Sequence, residues 1–144
     1  MATGGRTDPY RSFNFIVEID GIARAGFQEC AGLDTTQEPI EYREGNEGLT
    51  VRKLTSLVKY SNITLKWGIT DDAQLWDWRK NIMSGNNDRK NGSIILLDTT
   101  GEEKARWNFR EGWPTKWTGP AFKATGNEVA IETLEIAHEG LMKA

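Results

Sequence analysis

From Ser12 to Asp20 polar and apolar residues alternate. Phe13, Phe15, Val17 and Ile19 share one parity, while Ser12, Asn14, Glu18 and Asp20 share the other; only Ile16 is out of phase. Period two sets the four apolar side chains on one face of a strand. Asp20-Gly21 follows at once, a pair suited to the positive φ of a tight hairpin turn. The return strand is expected from Ile22 to Ala31, with a bulge at Gly26. Ile63, Leu65 and Trp67 alternate with Asn62, Thr64 and Lys66 in another strand. Ser93 to Leu97 is apolar on both faces, which suits a central strand covered on both sides. Ala105, Trp107 and Phe109 alternate with Lys104, Arg106, Asn108 and Arg110, and the segment from Gly112 to Pro120, with its paired Trp, Gly and Pro, is expected to bend. From Glu128 to His138 the phase changes between Ile131 and Leu134. That predicts a bulge near Glu132-Thr133, where this last strand passes between two sheets.

One segment has the helical period. Thr70-Asp71-Asp72 offers caps, and Leu75, Trp76, Trp78, Ile82 and Met83 fall in one broad stripe at 100° per residue; Gly85 makes a good stop. A helix over 72–84 is expected to lay Leu75, Trp78 and Ile82 on a sheet. Residues 32–58 have neither period. Only Ile40-Glu41-Tyr42 reads as a short strand, residues 43–48 are turn-rich, and Leu49, Val51, Leu54, Leu57 and Val58 recur irregularly among Arg52, Lys53 and Lys59. So long an irregular stretch inside a compact domain is usually functional, and it reads as an excursion that docks on something. The sum is mainly β: about seven strands in a two-sheet sandwich or barrel with one flanking helix. One domain is expected over 1–144, with residues 1–11 as a mobile arm and 43–58 as an extended docking loop.

Composition narrows the function. Six Trp, five Phe and three Tyr among 144 residues can fill a core, and the formal net charge of −3 shows no basic excess for nucleic acid. No apolar run approaches the ~20 residues of a bilayer span, so no membrane insertion by the monomer is expected. Residues 1–9 lack a hydrophobic signal core, so synthesis in the cytoplasm and any exit by a non-Sec route are expected. A lone Cys30 and a lone His138 exclude an internal disulfide and a Cys/His zinc cluster. As a thiol–imidazole pair they are the one nucleophilic candidate; a small buried thiol and a strand-end histidine are the favoured account of them. Asp71-Asp72 and Glu102-Glu103 are explained by helix capping and a solvated turn, and the glycine clusters lack the context of a phosphate loop. Trp113 and Trp117 raise a carbohydrate-binding β-sandwich module as the alternative function, against core packing and subunit contact. No enzyme activity, cofactor or metal is expected. Open sheet edges and a docking loop point to a building block.

Several stretches in order resemble one family. They include Tyr10-Arg11-Ser12-Phe13-Asn14-Phe15, Cys30-Ala31-Gly32-Leu33, Glu41-Tyr42-Arg43-Glu44-Gly45, Arg52-Lys53-Leu54, Lys59-Tyr60-Ser61-Asn62, Leu75-Trp76-Asp77-Trp78, Phe109-Arg110-Glu111-Gly112-Trp113-Pro114 and Glu135-Ile136-Ala137-His138-Glu139-Gly140-Leu141. The set spans about residues 8 to 141 and is similar to the inner tube protein of phage-tail-like contractile injection systems, the T4-type phage tail tube family. The resemblance implies six-fold rings stacked into a hollow tube inside a contractile sheath, with baseplate, spike and tube-capping proteins as partners and effector cargo in the lumen. It implies subunit and ring contacts through Tyr10, Tyr42, Arg43, Glu44, Asn46, Leu49, Val51, Arg52, Lys53, Leu54 and Leu57. Family members often carry Pro-Gly where this chain has Thr55-Ser56, and losing both turn-formers leaves the loop less pre-organised.

Overall fold

The computed structural model describes residues 14–144 apart from 21, 25 and 47. The arm 1–11 and Phe13 therefore lie outside the described residues. In chain order the elements are β1 (Phe15–Ile19), β2 (Ile22–Arg24), β3 (Phe27–Ala31), β4 (Thr35–Gln37), β5 (Ile40–Tyr42), β6 (Arg52–Leu54), β7 (Val58–Tyr60), β8 (Ile63–Gly68), α1 (Gln74–Met83), β9 (Lys90–Leu97), β10 (Glu103–Thr118), β11 (Ile131–Ala137) and β12 (Gly140–Lys143).

The alternating strands build two layers. One sheet has the order β2-β1-β9-β10-β12 and the other β10-β11-β8-β3, every pairing antiparallel. Ile63, Leu65, Leu134 and Ile136 of the second sheet are completely buried against Val17, Ile19, Ile94 and Phe109 of the first. The hydrogen-bonded ladder does not close into a barrel, because its outer strands β2 and β3 are joined only by the chain between them.

Two expectations about the corners are corrected. The return strand after β1 is not one bulged strand. β2 stays beside β1, with Ile19 opposite Ile22; residue 21, half of the expected Asp20-Gly21 turn, lies outside the described residues. Beyond Gly26 (φ +87°) the chain enters the other sheet as β3 and pairs with β8. Arg24 braces this corner: its guanidinium stands 5.1 Å from the ring centres of both Phe27 and Trp67.

The strand that passes between sheets is β10, not the last strand. Phe109 is buried, Arg110 and Glu111 are both exposed, and Gly112 and Pro114 are buried, so the inward parity changes from odd to even at that step. Glu111 takes φ +54°, and its N–H donates to Asn91 Oδ1 at 3.0 Å. The Phe109 ring fills the corner so tightly that a Cβ at Gly92 would lie 2.4 Å from it. Instead of bending at Gly112–Pro120, β10 continues to Thr118 and absorbs Pro114 at an irregular step in its ladder with β11. β11 itself pairs with β8 from Ile131 to Ile136 without a shift. The apparent change of phase arises because Val129 and Ile131 are surface residues, outside the core pattern.

The helix buries Leu75 and Trp78 and packs Ile82 on the core, whereas Trp76 and Met83 are exposed, so its apolar stripe is narrower than expected. It spans 74–83 rather than 72–84; Asp72 Oδ1 accepts the Gln74 N–H at 3.0 Å, and Gly85 (φ +92°) ends it. The Trp78 indole N–H donates to the Asp88 carbonyl at 2.7 Å, and Arg79 Nη1 donates to the Pro114 carbonyl at 3.1 Å, tying α1 to the second half of β10. Replacing Trp78 by Ala removes a buried indole and orphans that carbonyl. A loss of about 3–5 kcal/mol in unfolding free energy is expected, read by urea denaturation; an unchanged midpoint would place the helix face outside the core.

Candidate assembly surface

Between β3 and β8 the chain leaves the sandwich as a two-stranded ribbon. β4 pairs with β7 (Thr35 opposite Tyr60, Gln37 opposite Val58), and β5 pairs with β6 (Ile40 opposite Leu54, Tyr42 opposite Arg52). The expected loop with one short strand is thus a hairpin with two ladders. The step between them sets two residues, Glu38-Pro39, against three, Thr55-Ser56-Leu57. Side chains stitch it: Gln37 Nε2 donates to the Ser56 carbonyl at 2.9 Å, and Ser56 Oγ donates to the Glu38 carbonyl. Ser56 is thereby tied to the facing strand at this step. At the tip Arg43 Nε donates to the Gly48 carbonyl at 2.8 Å and Tyr42 Oη to Glu44 Oε1 at 2.9 Å, closing the turn around Gly45-Asn46.

The root of the ribbon is rigid. Gly32 has φ +91°, and a Cβ there would lie 2.0 Å from the Asn62 carbonyl oxygen, so glycine is required on both counts. The Ser61 N–H donates to the Asp34 carbonyl. His138 is a strut: Nε2 is 3.0 Å from the Ser61 carbonyl and Nδ1 is 3.1 Å from that of Gly140.

Every described residue from 34 to 59 except Ser56 is exposed. The ribbon nevertheless carries seven large apolar side chains, among them Leu49 at 100% and Leu57 at 83% exposure. The β5–β6 register sets Ile40, Tyr42, Arg52 and Leu54 on one face and Glu41 and Lys53 on the other. The structure therefore gathers Tyr42, Arg43, Glu44, Asn46, Leu49, Val51, Arg52, Lys53, Leu54 and Leu57 on one projecting element; Tyr10 lies outside the described residues. Sequence reading missed the pairing of β4 with β7. It missed as well a second exposed apolar group on the segment between β10 and β11, where Phe122 is 81% exposed. The one available signal for the latter was a bulky aromatic in a Gly- and Pro-rich stretch without a period.

The chemical alternatives find other uses for their residues. Cys30 is half-buried in a cleft of about 290 Å³ with Phe15, Leu33, Ile94, Leu96 and Trp107. Burial, reinforced by neighbouring Glu29, pushes its thiol up to about 12. The ring nitrogens of His138 face backbone carbonyls. Glu103 holds Arg106 at 2.7 Å and sits below the usual carboxylate range because of that bond. Trp117 packs edge-to-face with Trp67 and Trp76, at 5.3 and 5.1 Å between ring centres. Among the described residues no group of three His, Cys, Asp or Glu could hold a metal, and no helix is long and apolar enough to cross a membrane.

Comparison with known proteins supplies the remaining observations. Residues 11–142 match the family described as T4-like virus tail tube protein gp19. The chain is similar to one in the sheath–tube complex of the extracellular contractile injection system PVC in its extended state, at 28% identity and TM-score 0.86, covering 94% of this chain and 91% of that one. It is similar to one in the tube-terminating cap of the anti-feeding prophage, at 26% identity and TM-score 0.89, covering 99% and 95%. Hcp1 from Flavobacterium johnsoniae shares the fold, at 15% identity and TM-score 0.55 over 90% and 93%. No curated protein sequence matches.

A thiol titrating near 12 is almost wholly protonated at pH 8, whereas in an unfolded chain an appreciable fraction is thiolate. Alkylation of Cys30 by iodoacetamide at pH 8, followed by mass spectrometry, is therefore expected to be at least about a hundredfold slower in native protein than in denaturant. Equal rates would contradict this burial.

Proposed function

The chain belongs to the T4-like virus tail tube protein gp19 family, and from that membership we propose that it forms the inner tube of a contractile injection particle. Six copies close into a ring, rings stack into a hollow tube, and contraction of a surrounding sheath drives the tube through a target envelope with cargo in its lumen. The protein contributes rigidity and a channel, and it needs no catalysis. The observation that carries this reading is the exposed apolar ribbon on a sandwich of the tail tube fold.

The second sheet supports lateral closure. Among the described residues its outer strand β3 has one hydrogen-bonding border without a strand partner, and so does the far half of β10 beyond Gly112. Joining such borders between neighbours removes the edges that would otherwise invite uncontrolled pairing. The outward face of this sheet is polar and its charges compensate: Lys66 reaches Glu29 at 3.2 Å, and Lys116 reaches Glu135 at 3.8 Å, beside Thr64 and Thr133. A wall of that kind suits a water-filled conduit. The similar chains in a sheath–tube complex and in a tube-terminating cap support sheath and capping proteins as partners; baseplate and spike proteins and luminal effectors complete the proposal.

Electron microscopy of the purified protein over a range of concentrations, and with sheath and baseplate, is expected to reveal rings and stacks. Monomers alone under every condition would overturn the reading. Deleting Leu49–Leu57 removes β6 and the apolar side chains around it but nothing from the core. The expected result is loss of stacking with the sandwich's far-ultraviolet strand signal retained apart from the short β5–β6 ladder, since a shortened surface excursion costs the fold little.

A further inference from the structure

The chain has one histidine, His138, and both of its ring nitrogens meet backbone carbonyls. Nε2 lies 3.0 Å from the Ser61 oxygen, and Nδ1 lies 3.1 Å from the Gly140 oxygen. A neutral imidazole carries one N–H, so it donates to one of these oxygens and turns a lone pair toward the other. An imidazolium carries two N–H groups and donates to both. The number of bonds in this bridge therefore depends on one proton. His138 is half-buried, so that proton exchanges with bulk solvent.

The two oxygens belong to different parts of the molecule. Gly140 opens β12 in the first sheet, where it pairs with Arg110 of β10. Ser61 lies between β7 and β8, where the returning leg of the ribbon rejoins the second sheet. Its N–H donates to the Asp34 carbonyl on the outgoing leg at 3.3 Å. A ring bonded to both oxygens thus ties the root of the ribbon to the first sheet. A neutral ring either gives up Ser61 or keeps it while presenting a bare nitrogen to Gly140, and in both cases the tie loosens.

The groups around the ring leave the carbonyls as its hydrogen-bonding partners. From β7 the Tyr60 ring stands 5.5 Å away, centre to centre, with Lys59 on the other face of that strand. From β10 come the Phe109 ring at 6.1 Å and Arg110, whose side chain lies against Gly140. On β11 Glu135 is paired with Lys116 at 3.8 Å, and beyond it Glu139 is paired with Arg89 at 2.7 Å. Both carboxylates therefore have cations of their own, and the aromatic face of Tyr60 tolerates a positive charge beside it.

We propose that His138 is a proton-operated brace on the ribbon. The charged ring spans Ser61 and Gly140 and fixes the ribbon's root; the neutral ring makes one bond and the root loosens. The completed bridge holds the extra proton. The brace is therefore whole on the acid side of the range in which an imidazole titrates, about pH 5–8, and is lost as pH rises through it. Both bonds lie within one chain, so the brace acts in a separate subunit and does not rest on the tube reading.

Nuclear magnetic resonance on the isotope-labelled full chain tests this, and a single histidine leaves its ring signals unambiguous. At pH 5.5 both ring N–H protons are expected to be protected from exchange with water; at pH 8 only one is expected to remain. Protection of the Ser61 N–H, corrected for the intrinsic pH dependence of exchange, is expected to be about tenfold higher at pH 5.5 than at pH 8. In His138→Gln, whose amide donates but does not titrate, the corrected protection should be equal at the two pH values. A ring at pH 5.5 with either N–H exchanging freely overturns the brace. So does Ser61 protection that ignores pH in the parent, or a His138→Gln variant that keeps the tenfold change. If His138→Gln fails to fold, the ring and Ser61 signals of the parent decide alone.

Discussion

A two-stranded ribbon has no interior. Each of its faces meets solvent unless another surface covers it, and hairpins of this kind are marginal on their own. Here the ribbon carries seven large apolar side chains and holds its shape through a few local bonds: the Ser56 and Gln37 stitches, the Arg43 bond across the tip and the His138 strut at the root. Those bonds organise the ribbon without burying it. The apolar area is therefore displayed in a defined geometry, and the rest of the molecule reads as the mount that aims it.

The mount is stiff because one strand belongs to both layers. β10 runs sixteen residues, pairs with β9 and β12 in its first half and with β11 in its second, and turns its inward face over at Arg110-Glu111. Any tilt of one sheet against the other would break the Asn91–Glu111 bond and the fit of Phe109 under Gly92. The second corner, between β2 and β3, is braced by Arg24 between two aromatic rings. α1 is tied to β10 through Arg79 and to the segment that follows it through Trp78. A part that transmits thrust along a column, as the proposed function requires, gains from such cross-bracing, since close-packed interiors have low compressibility.

The sequence was most legible where one face of an element is buried. Phe15, Val17 and Ile19, or Ile63, Leu65 and Trp67, announce their strands because the core imposes period two. Of the ribbon strands only β5, Ile40-Glu41-Tyr42, could be read from the sequence; β4, β6 and β7 gave no such signal, because with both faces exposed nothing selects an alternation, and only the composition of Leu49–Leu57 and the ordered family resemblance pointed to the ribbon as a docking element. The crossing strand was misplaced for a related reason. The parity change at Arg110-Glu111 is masked by two adjacent polar residues, whereas the surface residues Val129 and Ile131 imitate a change of phase in β11. Trp76 and Met83 were drawn into the helix stripe by hydropathy alone, although only Leu75, Trp78 and Ile82 of that stripe pack on the core.

Magnitudes decide the order in which such a tube can grow. Burying an exposed Leu contributes about 1.5–3 kcal/mol, so covering Leu49 and Leu57 in the proposed contact with another copy would be worth about 3–6 kcal/mol before costs. Bringing two proteins together costs about 4–15 kcal/mol in lost freedom of motion. One such contact would not outweigh that cost by itself, and separate subunits have little reason to stack. Two six-membered rings meeting face to face make six such contacts while losing that freedom only once, so the balance tips heavily toward the stack. In the proposed tube, lateral closure through the borders of β3 and β10 would then come first, and stacking would follow cooperatively. That sequence would let a chain with a fully exposed Leu49 remain dispersed until a ring presents all of its ribbons together.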